Sequence, residues 1–293
     1  MNNLSEIIAQ FSAAMIENGI TPPTNIKPDG ALHRFYISGH KKGTLDGAYK
    51  LHLDGLRPAG YFQDFTKELK INWKFNGEVK QFSPEEKRAY AEQQRQRKEQ
   101  QQREERIKHE NAAHRAAHIW NEAKPALNHQ YLSRKRVEAH GAKDYKGALL
   151  VPLFNVSMRL MNLQFISGDG TKRFLSGAQK KGCFWWLGQK TEKILIGEGF
   201  ATCVSLHQAT GYQTFIAFDA GNLEMTAMIV RSKRPDATIV ICGDNDTSGR
   251  GQQAAEQAAI ACGGLLTIPD IEGYDFNDLA NHSALKGSSH DGQ

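Results

Sequence analysis

From Lys193 onward the chain alternates between apolar strand-like runs and helix-like runs, and this alternation restricts the possible fold more than any other feature. The four strand-like runs are KILIGEG, YQTFIAFDAGNL, ATIVICGDND and LLTIPD. They are rich in β-branched residues, and their centres are apolar throughout, which is typical of parallel strands covered by helices on both faces. The sequence therefore predicts a parallel α/β sheet in this part of the chain.

Changes of composition divide the chain into five predicted regions. They are a small N-terminal α+β domain (1–82), a long charged helix or linker (83–123), a strand-rich α+β subdomain (124–190), the α/β sheet (191–282) and a flexible tail (283–293). The first region opens with an amphipathic helix followed by short strands separated by Asp-Gly and Asn-Gly turns. Ser83, Pro84 and Glu86 form a helix start signal before the charged run. We favour a solvated spacer for this helix, and a partner-docking arm or a DNA clamp remains open.

Composition excludes several classes of protein. The net charge of +5 permits a nucleic-acid partner without requiring one. The four cysteines are scattered without a CxxC pair, so we expect them to be buried thiols of a cytoplasmic protein rather than zinc ligands. The N-terminus lacks the apolar core of a signal peptide, and no apolar run approaches the ~20 residues that span a bilayer. We therefore expect no membrane partner.

Acidic residues follow three of the apolar strands. Glu198 comes after the first, Asp219 after the second, and Asp244 and Asp246 after the third. Ligands of open parallel sheets bind at the carboxyl ends of the strands, where these side chains would converge. Neighbouring carboxylates repel one another unless a cation lies between them. Oxygen ligands without His or Cys favour Mg²⁺ or Mn²⁺ over zinc, and such a site suits phosphoryl transfer.

The same residues admit other interpretations. A lone Asp after a strand often caps a helix or forms a turn, which we consider the better interpretation of Asp219 in DAGN. The pattern Gly249-x-Gly251-x-x-Ala254 is similar to a dinucleotide-binding fingerprint. We reject that interpretation because the two aspartates before it would repel a pyrophosphate, and because its glycines do not directly follow the strand.

The segments ILIGEGFAT, FDAGNL and VICGDNDTSGRG together resemble the Toprim module shared by primases, topoisomerases and related nucleases. The signature of that module is a glutamate after one strand and a DxD with a following glycine after another. It is matched at Glu198-Gly199 and at Asp244-x-Asp246-x-x-Gly249. The resemblance is closest to the primases of plasmids and phages, dense over 145–282 and looser over 26–75.

The resemblance implies roles for individual acidic residues. Glu198 would act as general acid or base or help to hold a metal, and Asp244 and Asp246 would be metal ligands. The segment DFNDL supplies Asp275 and Asp278, which are candidates to complete the acidic site. Asp278 would equally suit the cap of a helix.

In this family the strand-rich segment before the Toprim module carries basic residues that guide the template. The candidates here are Lys172, Arg173, Lys180 and Lys181, although a solvated hairpin would explain them equally well. Trp185 and Trp186 could stack on unpaired bases, but we consider core packing the better interpretation.

The function that the resemblance implies is that of a DNA primase. Such an enzyme is a metal-dependent nucleotidyltransferase that makes short primers from nucleoside triphosphates on a single-stranded DNA template, here for a plasmid, a phage or another mobile element. The chain has no GxxxxGK[ST] motif, so a helicase or replication initiator would be a separate partner. It also lacks the cysteine-rich N-terminal domain of many bacterial primases, for which the N-terminal strands could substitute. A Toprim nuclease and a non-catalytic single-stranded-DNA-binding replication protein are the alternatives.

Overall fold

The computed structural model describes residues 4–53, 57–67, 69–77 and 83–288, the last six of these by their backbone alone. The chain divides into two units, Met1–Gln100 and Gln101–Gln293. Three sheets are present in the described residues, one in the first unit and two in the second.

The first unit is an antiparallel sheet with one helix packed against it. Its elements are α1 (Leu4–Glu17), β1 (His33–Phe35), β2 (Gly47–His52), β3 (Ala59–Asp64) and β4 (Leu69–Lys74). The strands pair in chain order. Helix α1 is amphipathic as predicted, and its Phe11 ring makes edge contacts with the rings of Tyr49, Phe62 and Trp73. One face of the sheet is therefore the core of this unit.

The long charged helix, α2, spans Pro84–Glu122. The predicted capping box is present, because the Ser83 N–H donates to the Glu86 carboxylate at 2.8 Å and the Glu86 N–H donates to the Ser83 hydroxyl at 3.1 Å. Its last part is not a solvated spacer, since Ala112, Ala113 and Ala116 are buried. The sequence hides this contact because small alanines among charged residues form no apolar stripe.

The predicted strand-rich region follows α2 in the second unit. Its elements are β5 (Lys124–Pro125), α3 (Gln130–Lys135), β6 (Lys143–Tyr145), β7 (Ala148–Phe154), β8 (Leu160–Ile166) and β9 (Lys172–Phe174). The five strands form an antiparallel sheet in chain order. Glu110 of α2 holds Arg159, which follows β7, through two hydrogen bonds of 2.8 and 2.6 Å. This part of α2 is thus fixed to the sheet.

The rest of the second unit is the α/β region. Its elements are β10 (Trp185–Leu187), β11 (Lys193–Gly197), α4 (Phe200–Thr210), β12 (Gln213–Ile216), α5 (Ala220–Lys233), β13 (Thr238–Cys242), α6 (Arg250–Cys262), β14 (Leu265–Thr267) and α7 (Phe276–Ser288). The strand order is β10-β12-β11-β13-β14. Strands β12, β11, β13 and β14 are parallel, as predicted.

Strand β10 lies in a different sheet from the one that the sequence suggests. The sequence pattern places the segment CFWWLG in the strand-rich region 124–190, but β10 pairs antiparallel with β12 at the edge of the parallel sheet. Trp185 stacks on Phe200 at the start of α4, with ring centroids 6.1 Å apart. A backbone bridge between Phe154 and Phe184 joins the two sheets of this unit, so they share one core.

Several further expectations concern the ends and the surface of the chain. Helix α7 extends to Ser288, so residues 283–288 of the predicted tail are helical, and residues 289–293 lie outside the described residues. The cysteines are free and buried, as expected. In the described part of the chain, no helix combines the length and the apolar character needed to cross a membrane.

Candidate active site at the carboxyl edge of the parallel sheet

Four acidic residues follow three adjacent strands at one edge of the sheet. Strand β11 lies between β12 and β13, and its last residue, Gly197, is in register with Ile216 and Cys242, the last residues of those strands. Glu198 therefore stands between the segment with Asp219 and the segment with Asp244 and Asp246. This convergence is the one that the sequence pattern predicts.

Glu198 is a half-buried carboxyl group in a negative environment. Burial raises its pKa above the ordinary value, and the charge of Asp219 raises it further. The positive charge of Lys172 opposes this rise. The backbone of Glu198 is held in place because its carbonyl accepts a hydrogen bond of 2.8 Å from the Phe218 N–H. The site therefore favours a proton or a cation at this carboxylate.

Asp244 is a half-buried carboxyl group of the acidic edge. Burial, followed by the charges of Glu198 and Asp275, raises its pKa from 3.8 to about 7. Its Oδ1 atom is buried and has no hydrogen-bond partner among the described residues. A buried acceptor without a partner is costly, so this oxygen is suited to a ligand that supplies positive charge.

Asp246 is bound within its own loop. Its Oδ1 atom accepts from the Ser248 N–H at 2.8 Å and from the Ser248 hydroxyl at 2.5 Å, and its Oδ2 atom accepts from the Gly251 N–H at 2.6 Å. The hydroxyl of Ser248 is the largest cause of its lowered pKa. Asp246 thus holds the turn that leads into α6, and it presents a stable negative charge to the site.

Gly251 is required by this turn. A Cβ atom at this position would lie 2.6 Å from the Asp246 Oδ2 atom and 2.8 Å from the Asp244 carbonyl oxygen. Both distances are too short for a side chain. The glycine that gives the pattern its similarity to a dinucleotide fingerprint therefore serves the acidic loop.

Asp275 and Asp278 cap the start of α7. The Asp275 Oδ1 atom accepts from the N–H groups of Asn277 and Asp278 at 2.7 and 2.9 Å. The Asp278 Oδ2 atom accepts from the Asp275 N–H at 3.3 Å, and its Oδ1 atom lies 3.2 Å from the Lys135 Nζ atom. The charge of Asp275 is one of those that raise the pKa of Asp244. The structure thus brings Asp275 to the acidic edge and engages Asp278 with Lys135.

The four basic candidates divide into two pairs. Lys172 lies near the acidic edge, because its Nζ atom is 3.8 Å from the position that a Cβ atom of Gly199 would occupy. Lys180 forms an ion pair with Asp219 and lies over the Phe174 ring, 5.1 Å from its centroid. Arg173 and Lys181 are exposed. Lys172 and Lys180 therefore contribute positive charge beside the carboxylates.

The sequence analysis did not predict the backbone conformation of Phe218, and it gave too little weight to the charge of Asp219. Phe218 has a φ of 72°, a left-handed conformation that costs a bulky residue about 1–2 kcal/mol. No sequence signal marks it. Asp219 follows it and begins α5, but its side chain makes no capping hydrogen bond. The side chain instead adds negative charge beside Glu198, which its place after a strand could have suggested.

The two tryptophans behave differently. Trp185 is buried in the core, as the favoured interpretation expects. Trp186 is half-buried, with its ring centroid 5.9 Å from that of Phe154, and lines a surface groove together with Phe215 and Lys233.

The donor atoms at the acidic edge are of the kind that bind a divalent metal ion. Among the described residues, no three or more His, Cys, Asp or Glu side chains are already gathered around one point. The donors that the edge offers are carboxylate oxygens, which Mg²⁺ and Mn²⁺ prefer. The unpartnered Oδ1 atom of Asp244 and the raised pKa values of Asp244 and Glu198 indicate uncompensated negative charge. These residues fit a divalent cation.

A comparison with known protein families matches the part of the chain that forms the parallel sheet. Residues 193–284 match the sequence profile of the Toprim domain. The four parallel strands and the helices that follow them all lie within or overlap the matched residues. The fold class predicted from the sequence is confirmed for this region.

Two curated relatives match most of the chain. Both are named DNA primase TraC and come from Escherichia coli. One is 33% identical over 279 residues, which is 89% of this chain and 26% of the relative. The other is 33% identical over 281 residues, which is 89% of this chain and 19% of the relative. The chain thus spans about a quarter or less of the curated relatives that it matches, and it resembles them well beyond the Toprim domain.

Solved primase structures are more distant. A DnaG primase catalytic domain bound to single-stranded DNA has a TM-score of 0.44 and 11% identity, covering 63% of this chain and 80% of that one. The primase fragment of the bacteriophage T7 primase-helicase has a TM-score of 0.39 and 14% identity, covering 56% of this chain and 69% of that one.

Proposed function

We propose that this chain is a DNA primase, a nucleotidyltransferase that makes short primers from nucleoside triphosphates on single-stranded DNA. The observation that carries the proposal is the pair of half-buried carboxyl groups, Glu198 and Asp244, both with raised pKa values at the carboxyl edge of a Toprim sheet. Similarity to TraC primases over 89% of the chain supports the same activity. The alternatives, a nuclease or a non-catalytic DNA-binding protein, have no observation of their own in their favour.

Mg²⁺ or Mn²⁺ is the proposed cofactor. When bound, it would neutralise the negative charge of the triphosphate and of the leaving pyrophosphate. Asp244 would hold it through its free Oδ1 atom, with Glu198, Asp246 and Asp275 as the further proposed ligands. The hydrogen bond that the Asp278 side chain accepts from the Asp275 N–H just before α7, and its contact with Lys135, favour a structural role for that residue.

The protein's own groups would then handle protons and position the substrate. Glu198, whose pKa is raised, is suited to take the proton from the attacking hydroxyl group and to release it afterwards. Asp246 would fix the loop that follows Asp244 through its hydrogen bonds with Ser248 and Gly251. Lys172 offers a positive charge to a phosphate approaching the edge.

The proposed partners follow from this activity. Single-stranded DNA would be the template, and Lys172, Arg173, Lys180 and Lys181 remain the proposed contacts in the second unit. A helicase or a replication initiator is a further proposed partner. Replication of a plasmid, phage or other mobile element in the cytoplasm is the proposed setting.

The test is primer synthesis by the purified chain on single-stranded DNA with labelled nucleotides and Mg²⁺ or Mn²⁺. We expect short labelled products that disappear with EDTA and in Glu198→Gln. Asp236→Asn is the matched control, because Asp236 is an exposed acid before β13 rather than after it. Metal-dependent shortening of the template without extension would instead identify a nuclease. Binding without either reaction would identify the non-catalytic alternative.

A further inference from the structure

The sheet of the first unit has two faces of different character. Phe35, Tyr49 and Phe62 belong to the buried cluster that contains α1 residues. The strand register places alternate residues on the opposite side. We call that side the outer face, and its members include Arg34, Lys50, Tyr61, Lys70, Asn72 and Lys74.

The outer face is strongly basic. Four of its residues are cations, and no carboxylate occupies an outward position on the described strands β1 to β4. Lys50 and Lys74 form no ion pair with any described residue. Like charges on one small sheet repel one another, and a bound polyanion would relieve this repulsion.

An aromatic ring lies among these cations. Tyr61 is directly opposite Lys50 on β2 and Asn72 on β4, so the three form one row across three strands. The Lys70 Nζ atom is 4.6 Å from the centroid of the Tyr61 ring, and Tyr61 is half-buried rather than enclosed in the core. An accessible aromatic side chain beside cations is the combination that binds unpaired bases and their phosphates. Duplex DNA would use only the cations, because its bases already stack on one another.

We propose that the outer face binds single-stranded DNA. Lys50, Lys70 and Lys74 contact phosphates, and Tyr61 stacks on a base. This inference rests on the proposed function only for the role of that DNA as the primase template. The binding itself needs neither the metal nor the acidic edge, so it can fail or succeed independently of primer synthesis.

The test measures binding of fluorescein-labelled oligothymidine to the full chain in EDTA by anisotropy over a range of salt concentrations. The double variant Lys70→Gln with Lys74→Gln should weaken binding. It should also make the plot of log association constant against log salt concentration less steep by about 1.4, or roughly 0.7 for each phosphate that is no longer neutralised. Lys87→Gln with Lys98→Gln removes the same charge from exposed positions of α2 and should leave the slope unchanged. Equal slopes for both double variants would overturn the proposal.

The aromatic contact has its own control. Tyr61→Leu should weaken binding about 5-fold or more, whereas Tyr61→Phe, which keeps the ring, should retain it. Thermal unfolding checks that each variant is folded. If Tyr61→Leu binds as tightly as the wild type, or if duplex DNA binds as tightly as oligothymidine, the proposed base stacking is wrong. Tighter binding of oligouridine than of oligothymidine would contradict DNA as the ligand. Primer synthesis that continues while these binding tests fail would leave the proposed function intact.

Discussion

The carboxylate of Glu198 is, after burial itself, the largest cause of the raised pKa of Asp244. The two residues follow adjacent parallel strands that end in register, so the fold itself brings the two charges together. This arrangement destabilises the protein unless a proton or a cation compensates it. The stability, the metal response and the activity of the protein should therefore all depend on this pair and on the loop beside it.

Asp244→Asn should stabilise the metal-free protein. A carboxyl group whose pKa is raised to about 7 in the folded state lowers stability as the pH rises from about 4 to 7. The variant should therefore unfold at a higher temperature than the wild type at about pH 8, by the equivalent of about 1 kcal/mol or more, and the difference should vanish near pH 4. Thermal unfolding in EDTA measures this. A variant less stable than the wild type at alkaline pH would contradict the assigned environment of Asp244.

Magnesium should stabilise the wild type and not the variant. A ligand that binds only the folded state raises the unfolding temperature increasingly as its concentration exceeds its dissociation constant. We expect the midpoint of the wild type to rise with Mg²⁺ concentration and that of Asp244→Asn to stay constant, with Asp236→Asn behaving like the wild type. Equal increases in all three proteins would place the ion elsewhere.

Lys172→Ala should reduce primer synthesis. Its charge acts on both Glu198 and Asp244, so its loss leaves the acidic edge more negative toward an incoming triphosphate. For an exposed cation we expect a decrease of about 3- to 10-fold, equivalent to about 1 kcal/mol. Arg173→Ala removes the neighbouring exposed charge and should have a smaller effect. Similar decreases for both would indicate a general contribution to template binding instead.

Gly251→Ala should lose primer synthesis because it displaces the acidic loop, and not only because it lowers the stability of the fold. The added Cβ atom would clash with the Asp246 Oδ2 atom at 2.6 Å, so the loop must move. Gly211→Ala is a suitable control, because Gly211 ends α4 with a φ of 69° and its Cβ would meet no atom within 4 Å. Gly211→Ala should lose about 1 kcal/mol of stability because of its left-handed backbone, and Gly251→Ala should lose stability through the clash. Only Gly251→Ala should lose primer synthesis, and equal activities would refute the role of the loop.

Much of the parallel sheet could be predicted from the sequence, because strands buried on both faces are apolar at successive positions. The carboxyl-end rule then predicted the gathering of Glu198 and Asp244. The sequence assigned β10 to the wrong sheet, because its three residues do not indicate which strand they pair with. Its pairing with β12 depends on tertiary packing. The left-handed backbone of Phe218 depends likewise on tertiary structure. The basic outer face was invisible in the sequence because its residues come from four strands, and only the register brings them together.

The most direct test of the central claim is primer synthesis on single-stranded DNA by Asp244→Asn beside the wild type, with thermal unfolding confirming that both are folded. The account predicts labelled primers from the wild type with Mg²⁺ or Mn²⁺ and none from the variant, which remains folded because the substitution removes a repelling charge. Primers made by Asp244→Asn at the rate of the wild type would contradict the assignment of the acidic edge as the active site.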